Sequence, residues 1–476
     1  MHLPRLIPRT RPLLTLSYTT ATVTPLPFSR ASPRLKMPSP YLETLHPTKK
    51  SARLEAAERQ MFRNVITPLE FRMVPISRKF MTGKEDKKQY YISTVSTVVE
   101  ESEDKKPDLV LVHGCKYMPL HAAFCQIFRR VVTRAPSQLS RPLPLTLNIQ
   151  PILLTGGGAK GIWVRNIDTL STFYRVHAID LLGWGRSSRP RYCLGEDPVK
   201  AQRWWVESLE AWRRAMGIEK FTLVGHSMGG FVSASYALEY KDRLDKLILL
   251  SAIGKQIHHS FTIFDNFFPY PSPTPLSLSL YAQPGLQGFT LSTTPSPFPL
   301  HTRLLISSLW SLTPQRLLTL LPTARVLRIL SSRRSDTISC FGFGEDDDTV
   351  VRYIYHLATS QPVSGEVAFT RLLTPTKAWH LPLRERLRDL SGLDVALVYG
   401  QFDWIDPTFA VEEVLRGEML DKAKVYILPD AGHHGYVENW VDLNAIIVGF
   451  HAPGGCGVRE FDVTRDQVGK AEFSIA

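Results

Sequence analysis

The sequence predicts an α/β fold in which a mostly parallel sheet is covered by helices on both faces. Short apolar runs of the length of buried strands support this prediction: DLVLVHG, FYRVHAID, FTLVGHS, DKLILLSA, DVALVYG and AKVYILPDAG. Helical patterns lie between several of them, and WWVESLEAWRRAMG is amphipathic and ends on Gly217. Strands that alternate with helices pair in parallel, because each crossover returns the chain to the same edge of the sheet.

Two further strands precede these runs. EFRMVPISRKF and KQYYISTVSTVVE are rich in aromatic and β-branched residues and predict a β-hairpin. We therefore expect the first part of the core to span 65–254 and to end with the sixth strand. A helical and irregular cap is predicted over 255–350, with a disordered tract at 256–300 that is rich in Pro, Ser, Leu and Phe. The core resumes over 351–452, and 453–476 form a C-terminal tail.

The net charge of +13 is concentrated in three segments that contain no acidic residue. Segments 1–42 and 266–335 hold six basic residues each, and 115–155 holds five. Charge confined in this way disfavours a basic groove for nucleic acid and predicts peripheral contact with an anionic membrane surface. The apolar-basic helical spacing of 304–334 predicts a cap helix, which either faces that membrane or packs on the sheet.

Residues 1–42 are rich in Arg, Ser, Thr and Leu, a composition that predicts a mitochondrial transit peptide. Their eight prolines also fit a disordered tail, and the alternative locations are the cytoplasm and the lipid-droplet surface. The sequence contains no run of 18 or more apolar residues, so no membrane-spanning helix is predicted. The five cysteines are scattered and lack metal-ligand spacing, so neither a metal nor another cofactor is expected.

The stretch LVGHSMGGF joins an apolar strand to a helical run of small residues through Gly-x-Ser-x-Gly. This is the strand-turn-helix of a nucleophile elbow, in which Ser227 is the candidate nucleophile. Its glycines are needed because side chains beside the serine would collide with the neighbouring strand and helix. The turn also places the backbone N–H of Met228 at the start of a helix, where it can donate to an oxyanion.

A serine hydroxyl needs a base, and in a nucleophile-elbow fold the chain order is serine, acid, histidine. Asp403 follows the strand DVALVYG and is the favoured acid, with Asp406 as the competitor. His433 directly follows the strand run AKVYILPDAG, within LPDAGHHGYVEN, and is the favoured base. Its neighbour His434 fits a surface or supporting position. His433 would take the proton of Ser227, and Asp403 would hold the imidazole in the required tautomer.

A second oxyanion donor usually comes from the loop after an early strand. In this sequence that strand ends in His113 and Gly114, and we expect His113 itself to be a packed, hydrogen-bonded histidine without a chemical role.

These motifs resemble a known family. LVHG, IDLLGWGRSSRP, the long WWVESLEAWRRAMGIEKFTLVGHSMGGF, YIYHLATSQPVSGE, VYGQFDWID and AGHHGYVEN are similar to α/β-hydrolase-fold lipid enzymes of the lysophosphatidic-acid acyltransferase and lysophospholipase branch. The resemblance extends in particular to fungal mitochondrial cardiolipin deacylases. It covers most of 105–114 and 156–450, outside the tract at 256–300. Some relatives lack the serine and act only as lipase coactivators, so the presence of Ser227 implies an active enzyme.

The sequence departs from the family in two places. The family has His-x4-Asp at the catalytic histidine, a pattern linked to acyltransferase activity, whereas Glu438 stands at that spacing from His433. The second departure is 115–155, which separates Gly114 from the Gly-rich turn at 156–158. We interpret this acid-free, aperiodic segment as translated intron or a recent insertion. If the segment is real, the second oxyanion donor is Cys115 or a glycine of that turn.

The sequence therefore predicts a serine lipid hydrolase that removes an acyl chain from a glycerophospholipid, with cardiolipin as a candidate substrate. An acyltransferase that acts on lysophosphatidic acid is the first alternative, since both activities use an acyl-enzyme and differ in the acceptor. A non-catalytic lipase coactivator is the second alternative.

Overall fold

An eight-stranded sheet forms the centre of the protein. The computed structural model describes residues 49–79, 89–99, 106–114, 158–252, 323–327, 335–372, 381–403, 405, 407, 410 and 422–449, without 193, 196, 325, 345, 346, 361, 382, 384 and 385. The strands are β1 (Leu69–Ser77), β2 (Gln89–Thr97), β3 (Asp108–Val112), β4 (Arg175–Ile179), β5 (Phe221–His226), β6 (Leu244–Leu250), β7 (Asp394–Gly400) and β8 (Ala423–Leu428).

The strand order across the sheet is β1-β2-β4-β3-β5-β6-β7-β8. β2 pairs antiparallel with both β1 and β4, and the remaining neighbours pair in parallel. The predicted hairpin and the six predicted strands are thus confirmed. Because β3 to β8 run in the same direction, the residues that follow them gather at one edge of the sheet.

Helices cover both faces of this sheet, as predicted. The described helices are α1 (Lys49–Met61), α2 (Ile167–Ser171), α3 (Pro198–Met216), α4 (Met228–Tyr240), α5 (Ser335–Ser339), α6 (Thr349–Ala358), α7 (Gly365–Leu372), α8 (Gly435–Glu438) and α9 (Trp440–Gly449). Alternate residues of β3 belong to two different buried clusters, since side chains of a strand point to opposite faces in turn. Helices α3, α4 and α7 pack on one face, and α1, α2, α6 and α9 pack on the other.

Helix α3 shows how local sequence sets the ends of an element. Asp197 accepts a hydrogen bond from the backbone N–H of Val199 at 2.9 Å, and Pro198 occupies the first helical position. The helix ends at Gly217, whose φ of 67° lies in the left-handed region that glycine adopts most readily. The predicted end of this helix is therefore confirmed.

Sequence analysis missed helix α1. Its sequence is rich in Ala, Glu, Lys and Arg, so only a narrow apolar stripe is present. Leu54 and Met61 lie on that stripe and are buried against the sheet. The folded core thus begins before residue 65, where the sequence placed its start.

A buried carboxylate joins α3 to α4. Glu210 accepts hydrogen bonds from Arg213 Nε at 2.8 Å, Arg214 Nε at 2.7 Å and the hydroxyl of Tyr236 at 2.8 Å. Burial raises the pKa of Glu210, but these three donors outweigh it and lower the pKa to about 2. The ionised carboxylate is therefore the form that stabilises the contact between the two helices.

Replacing Glu210 with Gln is expected to lower the free energy of unfolding by about 3 kcal/mol, because Arg213 is left buried with an uncompensated charge. In the folded protein the pKa of Glu210 lies below its ordinary value of 4.5. The stabilisation that the ionised carboxylate contributes is therefore complete above pH 4.5 and declines as pH falls toward 2. Urea unfolding across this pH range measures both effects. Glu207→Gln is the matched control, since Glu207 meets Tyr240 on the same helix pair at 3.1 Å but is partly exposed. Equal losses for the two variants would contradict the prediction.

Several predicted segments lie outside the described residues. They are the N-terminal segment 1–42, the segment 115–155, the tract 256–300, most of the cap helix at 304–334, and the tail 453–476. The predictions made for them stay predictions. Among the residues that the structure does describe, no helix combines the length and apolar character needed to cross a membrane.

Candidate active site

Ser227 lies at the turn between β5 and α4, at the edge of the sheet where the parallel strands end. Its φ is 55° and its ψ is −116°, a left-handed conformation that is uncommon for a residue with a side chain. Such a conformation costs about 1–3 kcal/mol and persists only where its surroundings impose it. Here the backbone N–H of Ser227 donates to the carbonyl of Leu250 at 2.9 Å, which ties the turn to β6.

The two glycines of Gly-x-Ser-x-Gly lie where the chain has no room for a side chain. A Cβ at Gly225 would overlap the carbonyl oxygen of Gly229 and the hydroxyl of Ser233. A Cβ at Gly229 would overlap the carbonyl oxygen of His113, at the end of the neighbouring strand. These contacts agree with the expectation that a side chain at either position would collide with the neighbouring strand or helix.

His433 lies in the loop that follows β8 and contacts both of its predicted partners. Its Nε2 is 3.1 Å from Ser227 Oγ, and its Nδ1 is 3.0 Å from Asp403 Oδ1. The Asp403 side chain is fully buried, whereas 13% of the His433 side chain is exposed. Asp403 Oδ1 also accepts from the backbone N–H of Ile405 at 3.0 Å, which fixes the carboxylate after β7. Asp406, the competing acid, lies outside the described residues.

The structure describes one of the two predicted oxyanion donors. Met228 is the first residue of α4, and N–H groups in the first turn of a helix have no acceptor within that helix. Cys115 lies outside the described residues. Gly114, which precedes it, lies so close to the turn that a Cβ there would be 2.8 Å from Ser227 Cβ.

Gly114 and Gly158, the described residues nearest to the two ends of the predicted insertion, lie close together. A Cβ placed on Gly158 would overlap the carbonyl oxygen of Gly114 and lie 3.0 Å from His113 Nδ1. Residues 114 and 158 are therefore direct neighbours in space. The interpretation of 115–155 as an insertion stays a prediction.

His113 has a structural environment, in agreement with the sequence analysis. Its Nδ1 is 2.8 Å from the carbonyl oxygen of Gly114, and its Nε2 accepts from the backbone N–H of Leu181 at 3.0 Å. Burial lowers the pKa of His113, so the imidazole is neutral and Nδ1 carries the proton. Both ring nitrogens thus bond backbone groups, Nδ1 that of Gly114 beside Ser227 and Nε2 that of Leu181 after β4.

A buried ion cluster of Lys160, Glu58 and Asp180 supports the chain that follows Gly158. The fully buried ammonium of Lys160 donates to Glu58 Oε2 at 2.5 Å, Asp180 Oδ2 at 2.8 Å and Ser93 Oγ at 2.8 Å. Burial raises the pKa of Asp180, but the charge of Lys160 together with the hydrogen bonds and other charges around the carboxylate outweighs it, and the net shift is downward. Sequence analysis missed this cluster, because its three members come from separate parts of the chain.

The loop that carries His433 is held by residues whose roles the sequence did not indicate. His226 Nε2 is 2.8 Å from the carbonyl oxygen of His433 and is therefore the donor. His434 Nδ1 lies 2.8 Å from the hydroxyl of Tyr436, which agrees with a supporting position for this histidine. Glu438 accepts from the backbone N–H of Gly432 at 2.7 Å, so its carboxylate faces the loop.

Comparison with known proteins agrees with this fold. A family model described as the alpha/beta hydrolase fold matches residues 150–439. The chain therefore belongs to the α/β-hydrolase family.

Two relatives of this chain are named as lipid enzymes. The (lyso)-N-acylphosphatidylethanolamine lipase of Bos taurus is 31% identical over 296 residues, which cover 61% of this chain and 75% of that protein. The 1-acylglycerol-3-phosphate O-acyltransferase ABHD5 of Sus scrofa is 31% identical over 314 residues, which cover 64% and 76%. These relatives confirm the resemblance to the lipid-enzyme branch, while the narrower resemblance to fungal cardiolipin deacylases stays a prediction.

Among solved structures, carboxylesterase CesB (YbfK) from Bacillus subtilis is similar to the chain with a TM-score of 0.48 and 15% identity. The match covers 85% of this chain and 98% of that protein. At this level of similarity nothing about activity follows.

Proposed function

We propose that the protein is a serine hydrolase that removes an acyl chain from a glycerophospholipid through an acyl-enzyme intermediate. The observation that carries this proposal is the continuous chain of two hydrogen bonds from Ser227 through His433 to Asp403. A strained serine at a strand-to-helix turn, paired with a histidine that a buried carboxylate orients, has the geometry of nucleophilic acyl transfer.

In the first half of the reaction, Ser227 Oγ attacks the carbonyl carbon of the ester while His433 Nε2 takes the hydroxyl proton. Asp403 accepts a hydrogen bond from Nδ1–H, which keeps Nε2 free to act as the base and stabilises the imidazolium that forms. The N–H of Met228 is the proposed donor to the oxyanion. His433 then returns the proton to the leaving alcohol, and the lysolipid departs.

In the second half, a water molecule attacks the acyl-enzyme while His433 removes its proton. The bond between the acyl carbon and Ser227 Oγ breaks, the serine regains its proton, and a free fatty acid is released. The second candidate function, acyl transfer, replaces this water with the hydroxyl of lysophosphatidic acid. The relative named as a 1-acylglycerol-3-phosphate O-acyltransferase favours this candidate.

The proposed substrate is an anionic phospholipid, with cardiolipin as the candidate, at the surface of a mitochondrial membrane. The support comes from the acid-free basic segments and from the composition of 1–42, which is typical of a transit peptide. The name of the bovine relative, a (lyso)-N-acylphosphatidylethanolamine lipase, supports a phospholipid substrate.

The test is incubation of the purified full chain with cardiolipin, with phosphatidylethanolamine, and with lysophosphatidic acid plus acyl-CoA, followed by mass spectrometry. We expect lysolipid and free fatty acid with the wild-type protein and neither product with Ser227→Ala. Phosphatidic acid formed only in the presence of acyl-CoA would assign the acyltransferase instead. A folded wild-type protein that yields no serine-dependent product with any lipid would leave the non-catalytic coactivator as the function.

A further inference from the structure

The carboxylate of Glu438 turns back onto the loop that carries His433. Its Oε2 accepts from the backbone N–H of Gly432 at 2.7 Å and from the backbone N–H of His434 at 3.2 Å. These two amides flank His433 on either side. One carboxylate oxygen thus bridges the N–H groups of the residues before and after the histidine, and charge-assisted hydrogen bonds of this kind are about twice as strong as neutral ones.

A second contact holds the same histidine from the opposite direction. His226 Nε2–H donates to the carbonyl oxygen of His433 at 2.8 Å, and the two ring centroids are 4.9 Å apart. His226 is the residue directly before Ser227. The backbone of His433 is therefore tied on one side to the turn of the nucleophile and on the other side to Glu438.

The other oxygen of Glu438 reaches a different part of the chain. Thr337 Oγ1 donates to Glu438 Oε1 at 3.2 Å, and Thr337 belongs to helix α5, between β6 and β7 in the region that the sequence assigns to the cap. One side chain thus joins the histidine loop to α5.

We propose, on the basis of the function proposed above, that Glu438 is a positioning residue that keeps His433 Nε2 aligned with Ser227 Oγ and couples that alignment to helix α5. Both oxygens of its carboxylate already accept hydrogen bonds from the loop and from α5. The carboxylate does not act on the acyl acceptor in this arrangement. Hydrolysis and acyl transfer both need the same His433, so loss of Glu438 slows both by the same factor.

Glu438→Gln is the main variant. It keeps the size of the side chain but removes the charge and replaces one acceptor oxygen with an N–H donor. We expect the rate at which a fluorophosphonate probe labels Ser227 to fall about 10–100-fold, because a displacement of about 1 Å between reacting groups has a cost of this size. We expect kcat for phospholipid hydrolysis to fall by a similar factor while KM changes less than about twofold, since the substrate contacts are unchanged.

Thr337→Val tests the coupling to α5 with little risk to folding, because it removes only one partly buried hydroxyl. We expect a smaller decrease in the labelling rate, about 2–5-fold, since one neutral hydrogen bond is lost and the two backbone contacts remain. Thr323→Val is the matched control, because Thr323 makes its 2.8 Å contact with the hydroxyl of Tyr355 instead. Labelling at the same rate in both threonine variants would overturn the coupling.

Amide hydrogen exchange provides a readout that does not depend on activity. We expect the amides of Gly432 and His434 to exchange faster in Glu438→Gln than in the wild type. Unchanged exchange and unchanged labelling would overturn the proposal, as would loss of acyl transfer with hydrolysis preserved. A wild-type protein that is labelled at Ser227 but releases no lysolipid would contradict the proposed substrate, while the labelling and exchange rates would still decide the role of Glu438.

Discussion

Ser227→Ala is expected to reduce kcat for ester hydrolysis by about 10⁴-fold or more and to abolish labelling by a fluorophosphonate. The change removes the hydroxyl oxygen that lies 3.1 Å from His433 Nε2 and leaves an unreactive methyl group. Steady-state hydrolysis of a soluble short-chain ester measures the effect without interference from membrane binding. Alanine and serine share the Cβ that restricts the conformation at φ 55°, so the change adds no new strain and the fold is expected to be retained.

The matched control is Ser235→Ala. Ser235 is a fully buried serine on the helix that follows the turn, so the variant loses a hydroxyl of the same kind without touching the site. We expect its activity to stay close to that of the wild type. A Ser227→Ala protein that retained activity, or that bound the probe covalently, would show that this serine is only a turn residue.

Asp403→Asn is expected to lower kcat by about 10⁴-fold, with KM changed little. Asparagine keeps the size of the side chain, but where its amide nitrogen takes the place of Oδ1 it can no longer accept from the N–H of Ile405. It lacks the charge that stabilises the imidazolium, and it can present an amide N–H to His433 Nδ1 in place of an acceptor. The histidine is then held with its proton on Nε2, where Ser227 needs a base. Single-turnover labelling of Ser227 measures the loss directly.

The same change at Asp406 is the comparison that decides between the two acids proposed from the sequence. The 3.0 Å contact between Asp403 and His433 predicts that only Asp403→Asn has the large effect. If Asp406→Asn lost activity while Asp403→Asn kept it, Asp406 would be the acid of the site and the assignment made here would be wrong.

The sheet was predictable from the sequence because each strand has a local pattern. DLVLV and DVALV are apolar on both faces, as expected for strands covered by helices on both sides, and the hairpin strands are rich in β-branched residues. Helix α1 was missed because its local pattern is weak. Its composition favours a helix, but its narrow apolar stripe gives little sign of a buried face until the rest of the core is present.

The candidate site was partly predictable. Ser227 and His433 stand in short motifs whose spacing follows from the turn and loop that hold them, whereas Asp403 and Asp406 are only three positions apart in the sequence, which favoured Asp403 without excluding its neighbour. The supporting contacts of His226 and Thr337 had no local pattern, since they bridge residues about 100–200 positions apart. The His-x4-Glu spacing identified Glu438 as a departure from the family pattern. Its contacts with the backbone N–H groups of Gly432 and His434 are visible only in the folded loop.

The buried ion cluster sets how far the N-terminus could be shortened without loss of the fold. Glu58 supplies one of the two negative charges that neutralise the fully buried ammonium of Lys160, and Leu54 fills part of the core beside it. A processing protease that cut within α1 would leave Lys160 with Asp180 alone, next to the chain that packs against Gly114. Cleavage after residue 42, or translation from Met37, leaves the cluster intact, so proteolytic removal of a leader is compatible with this fold only upstream of α1.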